Sequence, residues 1–326
     1  MQIYRRMNLP VTLRSCAVVA ICFLLSLQGA LGWNSIGHMT VAYVAYQQLT
    51  PQQRARTAAL LALNPNYKKW LGYIHPAASP ADQEMYVFMM AATWPDEIKA
   101  NGSGYRNDGD IPPKSPEATA NIGYTDMVMH KYWHFVDMPF STDGTTPLPA
   151  VPAPNAQTQI AALRAALASD ESDQLKSYDL VWLLHLTGDI HQPLHCATRV
   201  TQAGKRGDGG GNSVVIDVAP NDLHGYWDSL LGVGDTGNYL AAVKAGQLLS
   251  PADSSAASDL KEADWTNESF ALAKSNVYMD PPIGPGLGKF TIASNPTYAT
   301  EALKIVQQRV ALAGARLANV LNTELK

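Results

Sequence analysis

Residues Leu184–Cys196 read L-H-L-T-G-D-I-H-Q-P-L-H-C and follow directly on the apolar residues Leu180, Val181, Trp182 and Leu183. The apolar run reads as a core helix, and on a helix His185 and Asp189 stand one turn apart on the same face. Pro193 lacks the N–H that a continuing helix needs, so a bend is expected just before His195. Two imidazoles and a carboxylate brought together inside a protein are unfavourable unless something satisfies them, and a divalent cation does so best. The stretch therefore predicts a metal protein organised around one buried helix, with further ligands supplied from elsewhere in the chain.

On either side the sequence is mostly helical. Ile36–Leu49 carries apolar residues at Ile36, Met39, Val41, Val44 and Ala45. It ends before Thr50-Pro51, which opens Pro51–Leu63, and Ser79-Pro80 opens a third helix through Met85, Phe88, Met89 and Trp94. Gln157–Ala168, Tyr178–Leu194, Leu223–Leu230, Ala252–Val277 and Thr300–Leu321 complete the helical segments. Residues 100–123 read as a long surface loop, Lys131–Asp137 as a short extended segment or helix end, and Pro139–Asn155 as a connector. Ser213–Val218, reached through the glycine loop Gly204–Asn212, is the best strand candidate, and its polar flanks predict a small β-hairpin rather than a large sheet. No internal repeat or linker interrupts this pattern. The expectation is a single, mostly α domain over residues 33–326, long enough to bury a large core.

Residues 1–32 differ from the rest. Arg5, Arg6 and Arg14 precede an apolar run from Ala17 to Leu27, and Ala30 and Gly32 occupy positions −3 and −1 of a cut before Trp33. That is the pattern of a secretory signal peptide, and the run is short for a membrane span. The expected product is secreted or periplasmic, with no membrane span in the mature chain. The leader holds three of the 24 Lys+Arg and none of the 28 Asp+Glu, so the remainder is more acidic than the whole chain's −4. Such a charge excludes a protein that coats duplex DNA with a basic stripe, but not an enzyme that draws a short strand into a metal-lined cleft. Cys16 and Cys22 leave with the leader, so Cys196 has no intramolecular partner, and stability must come from size, core and metal. Cys196 could serve as a thiolate ligand, although a buried inert thiol is the commoner state.

A second His-x-x-x-Asp pair, His224 and Asp228, lies in L-H-G-Y-W-D at 223–228. Each pair offers one imidazole and one carboxylate, a mixture that zinc accepts. Cleavage before Trp33 would also free an α-amino group. That amine and the Trp33 carbonyl oxygen can chelate a cation, and His38 lies five residues on.

W-N-S-I-G-H at 33–38, T-W-P-D at 93–96, H-F-V-D at 134–137, H-L-T-G-D-I-H-Q-P-L-H at 185–195, G-G-N at 210–212 and L-H-G-Y-W-D at 223–228 occur together and in this order. The chain resembles the zinc-dependent single-strand nucleases of fungi, plants and bacteria, the nuclease I family. These share a helical fold and a three-zinc site with bacterial zinc phospholipase C. The resemblance runs from Trp33 to at least W-T-N-E-S at 265–269. It implies one zinc held by Asp96, His134, His185 and Asp189. A second would be held by Trp33 (amine and carbonyl), His38 and a bridging Asp189, and a third by His195, His224 and Asp228. It further implies hydrolysis of single-stranded DNA and RNA to 5′-phosphate products by a zinc-bound hydroxide, with a 3′-nucleotidase activity and no stable protein partner. Asp96 and Asp189 would be catalytic through the metals, and Lys99 would steady the phosphate where the family often has an arginine. Phe135 and Asp137 fall where relatives stack a base and hydrogen-bond its edge; stacking on one ring tolerates any base and needs an unpaired strand.

Two other readings compete. A zinc phospholipase C would use the same metals on a lipid headgroup phosphodiester, but the short spacing from Trp33 to His38 and the final Asp228, rather than a glutamate, favour the nuclease. A zinc-binding protein without catalysis would need its open coordination positions closed by protein, and only Cys196 is spare. His191 reads as a core or metal-supporting histidine, and His130 stands outside the ligand pattern.

Overall fold

Side-chain caps start most of the helices, among them the Thr50 and Ser79 openings legible in the sequence. The computed structural model describes residues 33–278, 290–293 and 295–326, so the leader expected over residues 1–32 lies outside the described residues. Asn34 caps α1 (Ser35–Gln48) by accepting from the amides of Ile36 and Gly37, and Thr50-Pro51 opens α2 (Pro51–Leu61). After α3 (Tyr67–Tyr73), Ser79-Pro80 opens α4 (Pro80–Ala91), which stops short of α5 (Trp94–Glu97). A capping box between Asn155 and Thr158 starts α6 (Ala156–Ala168), and Ser172 caps α7 (Asp173–Asp189). Asp222 caps the short α8 (Leu223–Asp228). α9 (Tyr239–Gln247), α10 (Ser254–Ser258), α11 (Glu262–Leu272) and the long α12 (Pro296–Glu324) follow.

The helix that carries the metal motif is the central one. Every residue of α7 from Lys176 to Asp189 is buried; Leu180–Leu184 is apolar on all sides, and the polar residues on either side of it are enclosed with it. α2, α6 and α12 pack around it, and α1 lies between α4, α9 and α12 while also touching α7. Each of the seven tryptophans is at most 1% exposed. Trp182 of α7 meets Trp94 and Trp133 edge-on at centroid distances of 6.0 and 4.9 Å, forming a stiff aromatic wall behind the metal motif. Among the described residues no helix is long and apolar enough to cross a membrane.

The mostly α class holds, and the β content needs correction. The small sheet is a parallel pair, β1 (Met138–Ser141) against β2 (Ala197–Val200), with Met138 opposite Ala197. Among the described residues Ser213–Val218, expected as the hairpin, makes isolated bridges rather than a strand: an antiparallel one across a local turn, Val215 to Asp222, and a parallel one from Ile216 to Phe290. Alternation marks a segment that can pair, but the partners in the β1–β2 pair lie far apart in sequence and are chosen by where the helices deliver them. Several helix boundaries also change: the last helix runs Pro296–Glu324, and the metal helix begins at Asp173. Ala252–Val277 is broken into α10, α11 and a π-helical turn at Ala273–Val277, and the metal helix ends at Asp189 rather than Leu194. The bend expected from Pro193 is present: residues 193–196 form a 3₁₀ turn capped by Gln192.

Candidate metal centre

The C-terminal end of α7 presents His185 and Asp189 to four other segments. Asp189 is fully buried, and its two oxygens face different partners. Oδ2 lies 3.0 Å from His134 Nδ1 and 3.2 Å from His185 Nε2, while Oδ1 lies 3.4 Å from His38 Nε2. Asp96, from α5, comes within 3.5 Å of His185 Nε2 and 3.8 Å of His134 Nδ1. The parallel strand pair continues upstream, where Val136 N donates to His195 O and His195 Nδ1 lies 2.6 Å from His134 O. That pairing locks the His134 segment to the end of the metal motif.

The tautomers show what these rings are set up to bind. His185 Nδ1 donates to Ala92 O at 2.7 Å, His195 Nδ1 to His134 O at 2.6 Å and His224 Nδ1 to Gly210 O at 2.8 Å. In the neutral form each ring then points the lone pair of Nε2 inward. The inward nitrogens of His195 and His224 face each other at 3.1 Å, with Asp228 Oδ2 3.4 Å from His224 Nε2. Two lone pairs at that distance repel, and a cation between them converts the repulsion into two bonds. Neither ring nitrogen of His38 has a hydrogen-bond partner among the described residues. Three groups of buried donors result: His38, His185 and Asp189; Asp96, His134 and His185; and His195, His224 and Asp228. The residues present therefore fit a set of divalent cations.

The electrostatics agree. Burial, reinforced by His185, pulls His38 down to about 4, and burial with Lys99 pulls His134 down to about 3, so both rings are neutral and able to ligate at moderate acidity. For His185 the carboxylates of Asp189 and Asp96 overcome burial and raise its value. Burial opposes the charged form of Asp189, yet the surrounding imidazoles hold it well below the usual carboxylate range. Burial pushes Asp228 well above that range, opposed by the donor Gln192. A dication beside Asp228 would reverse that shift.

The S1/P1 nuclease family matches this chain over residues 33–326. The chain belongs to that family. Endonuclease 4 of Arabidopsis thaliana is 30% identical over 176 residues, 48% of this chain and 54% of its own length. Endonuclease 5 of the same plant is 25% identical over 319 residues, 90% of each chain. Family membership places the chain among nucleases, and the three donor groups are where its metals would be held.

Of the residues expected at an S1/P1 nuclease site, His38, Asp96, His134, His185, Asp189, His195, His224 and Asp228 converge as described. Trp33 is buried beside them, its indole Nε1 donating to Gly188 O at 2.9 Å. Lys99 reaches the same cluster: its side chain is 7% exposed and its Nζ lies 2.5 Å from Asp96 Oδ1, so it is not a solvated surface lysine. Phe135 and Asp137 sit just beyond His134, both partly buried. Burial, with help from Asp208 and Asp110, lifts the Asp137 carboxyl to about 7. Cys196 stays outside the donor groups; its thiol is buried, contacts Ile190 O at 3.3 Å and is pushed up to about 12 by desolvation. His130 pairs with Asp126 at 2.6 Å instead of joining the site.

Sequence reasoning missed two glycines that make the approach possible. A Cβ on Gly188 would lie 2.9 Å from His38 Nδ1, so a bare backbone lets α1 close onto α7. Gly210, at φ +61°, offers its carbonyl to His224, and a Cβ there would meet Leu194 O at 2.4 Å. The only signal was the G-G-N motif itself, which carried no role until the fold supplied one.

Proposed function

We propose that this protein is an exported zinc-dependent phosphodiesterase that hydrolyses single-stranded DNA and RNA to 5′-phosphate products, with 3′-nucleotidase activity at the same site. The observation that carries the reading is the convergence of buried imidazoles on Asp96, Asp189 and Asp228, with the inward nitrogens of His185, His195 and His224 each fixed by an outward hydrogen bond. An all-nitrogen-and-oxygen donor set of this kind suits zinc. Asp96, His134, His185 and Asp189 would hold one ion, Trp33, His38 and Asp189 a second, and His195, His224 and Asp228 a third. Bound zinc supplies Lewis acidity toward phosphate oxygens and lowers the pKa of coordinated water.

The chain's own residues supply the remainder. Asp189 holds two donor groups in fixed register through its two oxygens. Lys99, pinned by Asp96, places a cation where a phosphate oxygen would approach. Phe135 offers one aromatic face for an unpaired base, and Asp137, near neutrality in its titration, offers the base edge an acceptor or a donor. Export before Trp33 would free the amine that completes the second ligand set.

Elemental analysis of the purified protein, with release of acid-soluble nucleotide from denatured and from duplex DNA, tests this reading. The expected result is three zinc ions per chain and faster hydrolysis of denatured DNA. Release of phosphocholine from lecithin with no nucleotide release would assign the site to lipid headgroups instead.

A further inference from the structure

The five residues between Asp189 and His195 are buried and tied down on both sides. Toward the site, Gln192 Nε2 donates to Asp228 Oδ1 at 2.8 Å, and Gln192 Oε1 accepts from Leu194 N at 2.5 Å. One glutamine side chain thus joins the turn that delivers His195 to the carboxylate of α8, and leaves Asp228 Oδ2 as the oxygen directed at His224. Away from the site, the turn rests on W-T-N-E-S at 265–269 and on α12. His191 Nδ1 donates to Thr187 O at 2.8 Å, so its Nε2 accepts from Arg316 Nη1 at 3.0 Å. Arg309 Nε donates to His191 O at 3.2 Å, and Ser269 Oγ donates to Ile190 O at 2.6 Å. Glu268 holds both arginines, at 2.7 Å from Arg309 Nη1 and 2.7 Å from Arg316 Nη2.

Gln192 reaches the donor group only through Asp228, while Arg309, Arg316 and Glu268 stand behind the turn. Asp189 is positioned by its own helix, but His195 lies past the helix end and Asp228 belongs to a different segment. Their relative placement depends on the turn. We propose that Gln192 is a positioning residue that sets the His195–His224–Asp228 group for its cation, and that the Arg309–Arg316–Glu268 cluster acts through the turn to hold Gln192 in place. This inference rests on the three-ion reading above. Groups that orient metal ligands in this way are typically worth ~10–100-fold in metal affinity.

The test is stepwise zinc titration of the chelator-stripped protein, with the step that belongs to this group identified by its loss in His224→Ala. In Gln192→Met that step weakens by ~10-fold or more while the other two stay within about twofold. Arg316→Met leaves Glu268 paired with Arg309, and the same step weakens by a smaller factor. An unchanged third step in Gln192→Met, or equal weakening of all three steps with a lowered melting temperature, overturns the positioning role and leaves the metal reading standing. A wild-type protein that takes up fewer than three ions overturns that reading, and this inference with it.

Discussion

Replacing Asp189 by asparagine separates the shape of the metal centre from its charge. The side chain is fully buried and its oxygens serve two donor groups, with His134 and His185 at 3.0 and 3.2 Å on one side and His38 at 3.4 Å on the other. Asparagine fills the same volume but loses the negative charge, and an NH2 that cannot ligate replaces one oxygen. A charged contact of this type contributes ~1.5–3 kcal/mol, which is about tenfold to a hundredfold in affinity. In the proposed ligand sets Asp189 serves two ions, so the loss would apply twice, and the product of the two zinc affinities would fall by ~10²–10⁴. Hydrolysis of denatured DNA, which needs the pair intact, is expected to drop by ~10³-fold or more. Zinc titration of the stripped variant, followed by acid-soluble nucleotide release at saturating metal, measures both numbers. An Asp189→Asn protein that holds three zinc ions and turns over near the wild-type rate would refute the shared-carboxylate argument.

Other substitutions probe the same geometry. Gly188→Ala gains ~1 kcal/mol of helix propensity but loses ~1–3 kcal/mol to overpacking, because its Cβ would lie 2.9 Å from His38 Nδ1. Urea melts should show no net stabilisation and metal analysis a reduced zinc content, whereas a fully loaded, more stable variant would contradict the close-approach reading. Asp179 is buried with a carboxyl lifted to about 7 by desolvation. A raised folded pKa means its contribution is intact below the unfolded value of 3.8 and lost as pH rises through 7. The melting temperature of Asp179→Asn minus that of wild type should therefore grow from pH 5 to pH 8, and a pH-independent difference would contradict the raised value. Asp137 also titrates near about 7, so the KM for a single-stranded substrate should change across neutrality in wild type; in Asp137→Asn that change should disappear. A protein carrying one extra residue before Trp33 should bind one zinc fewer, and an unchanged zinc count would exclude the Trp33 amine as a ligand.

Much of the site was legible because its parts are local. His185 with Asp189 and His224 with Asp228 are i, i+4 pairs, and helix geometry alone puts such pairs on one face. Thr50 and Ser79 announced helix starts through side chains that reach amides three residues away. The apolar run before His185 announced a buried helix, and α7 is buried from Lys176 to Asp189. Pro193 announced a bend, and the chain turns there. The strand assignment failed where the partner was remote. Ser213–Val218 has strand character, but the paired strands are Met138–Ser141 and Ala197–Val200, brought together by the His134 and His195 segments.

By itself the sequence determined the helical class, the buried helix and the two His-x-x-x-Asp pairs, because each depends on periodicity or spacing within a few residues, whereas Asp96 and His134 were reached only through the family resemblance. Only the tertiary structure decided which oxygen of Asp189 faces which histidine, that Lys99 is drawn in against Asp96, and that Gln192 joins the turn to Asp228. Those relations join residues many positions apart, and their distances follow from how whole helices pack, which no local pattern encodes. The bare backbone at Gly188 is the clearest case: it reads as an ordinary helix residue until α1 closes onto it and needs the space a methyl group would fill.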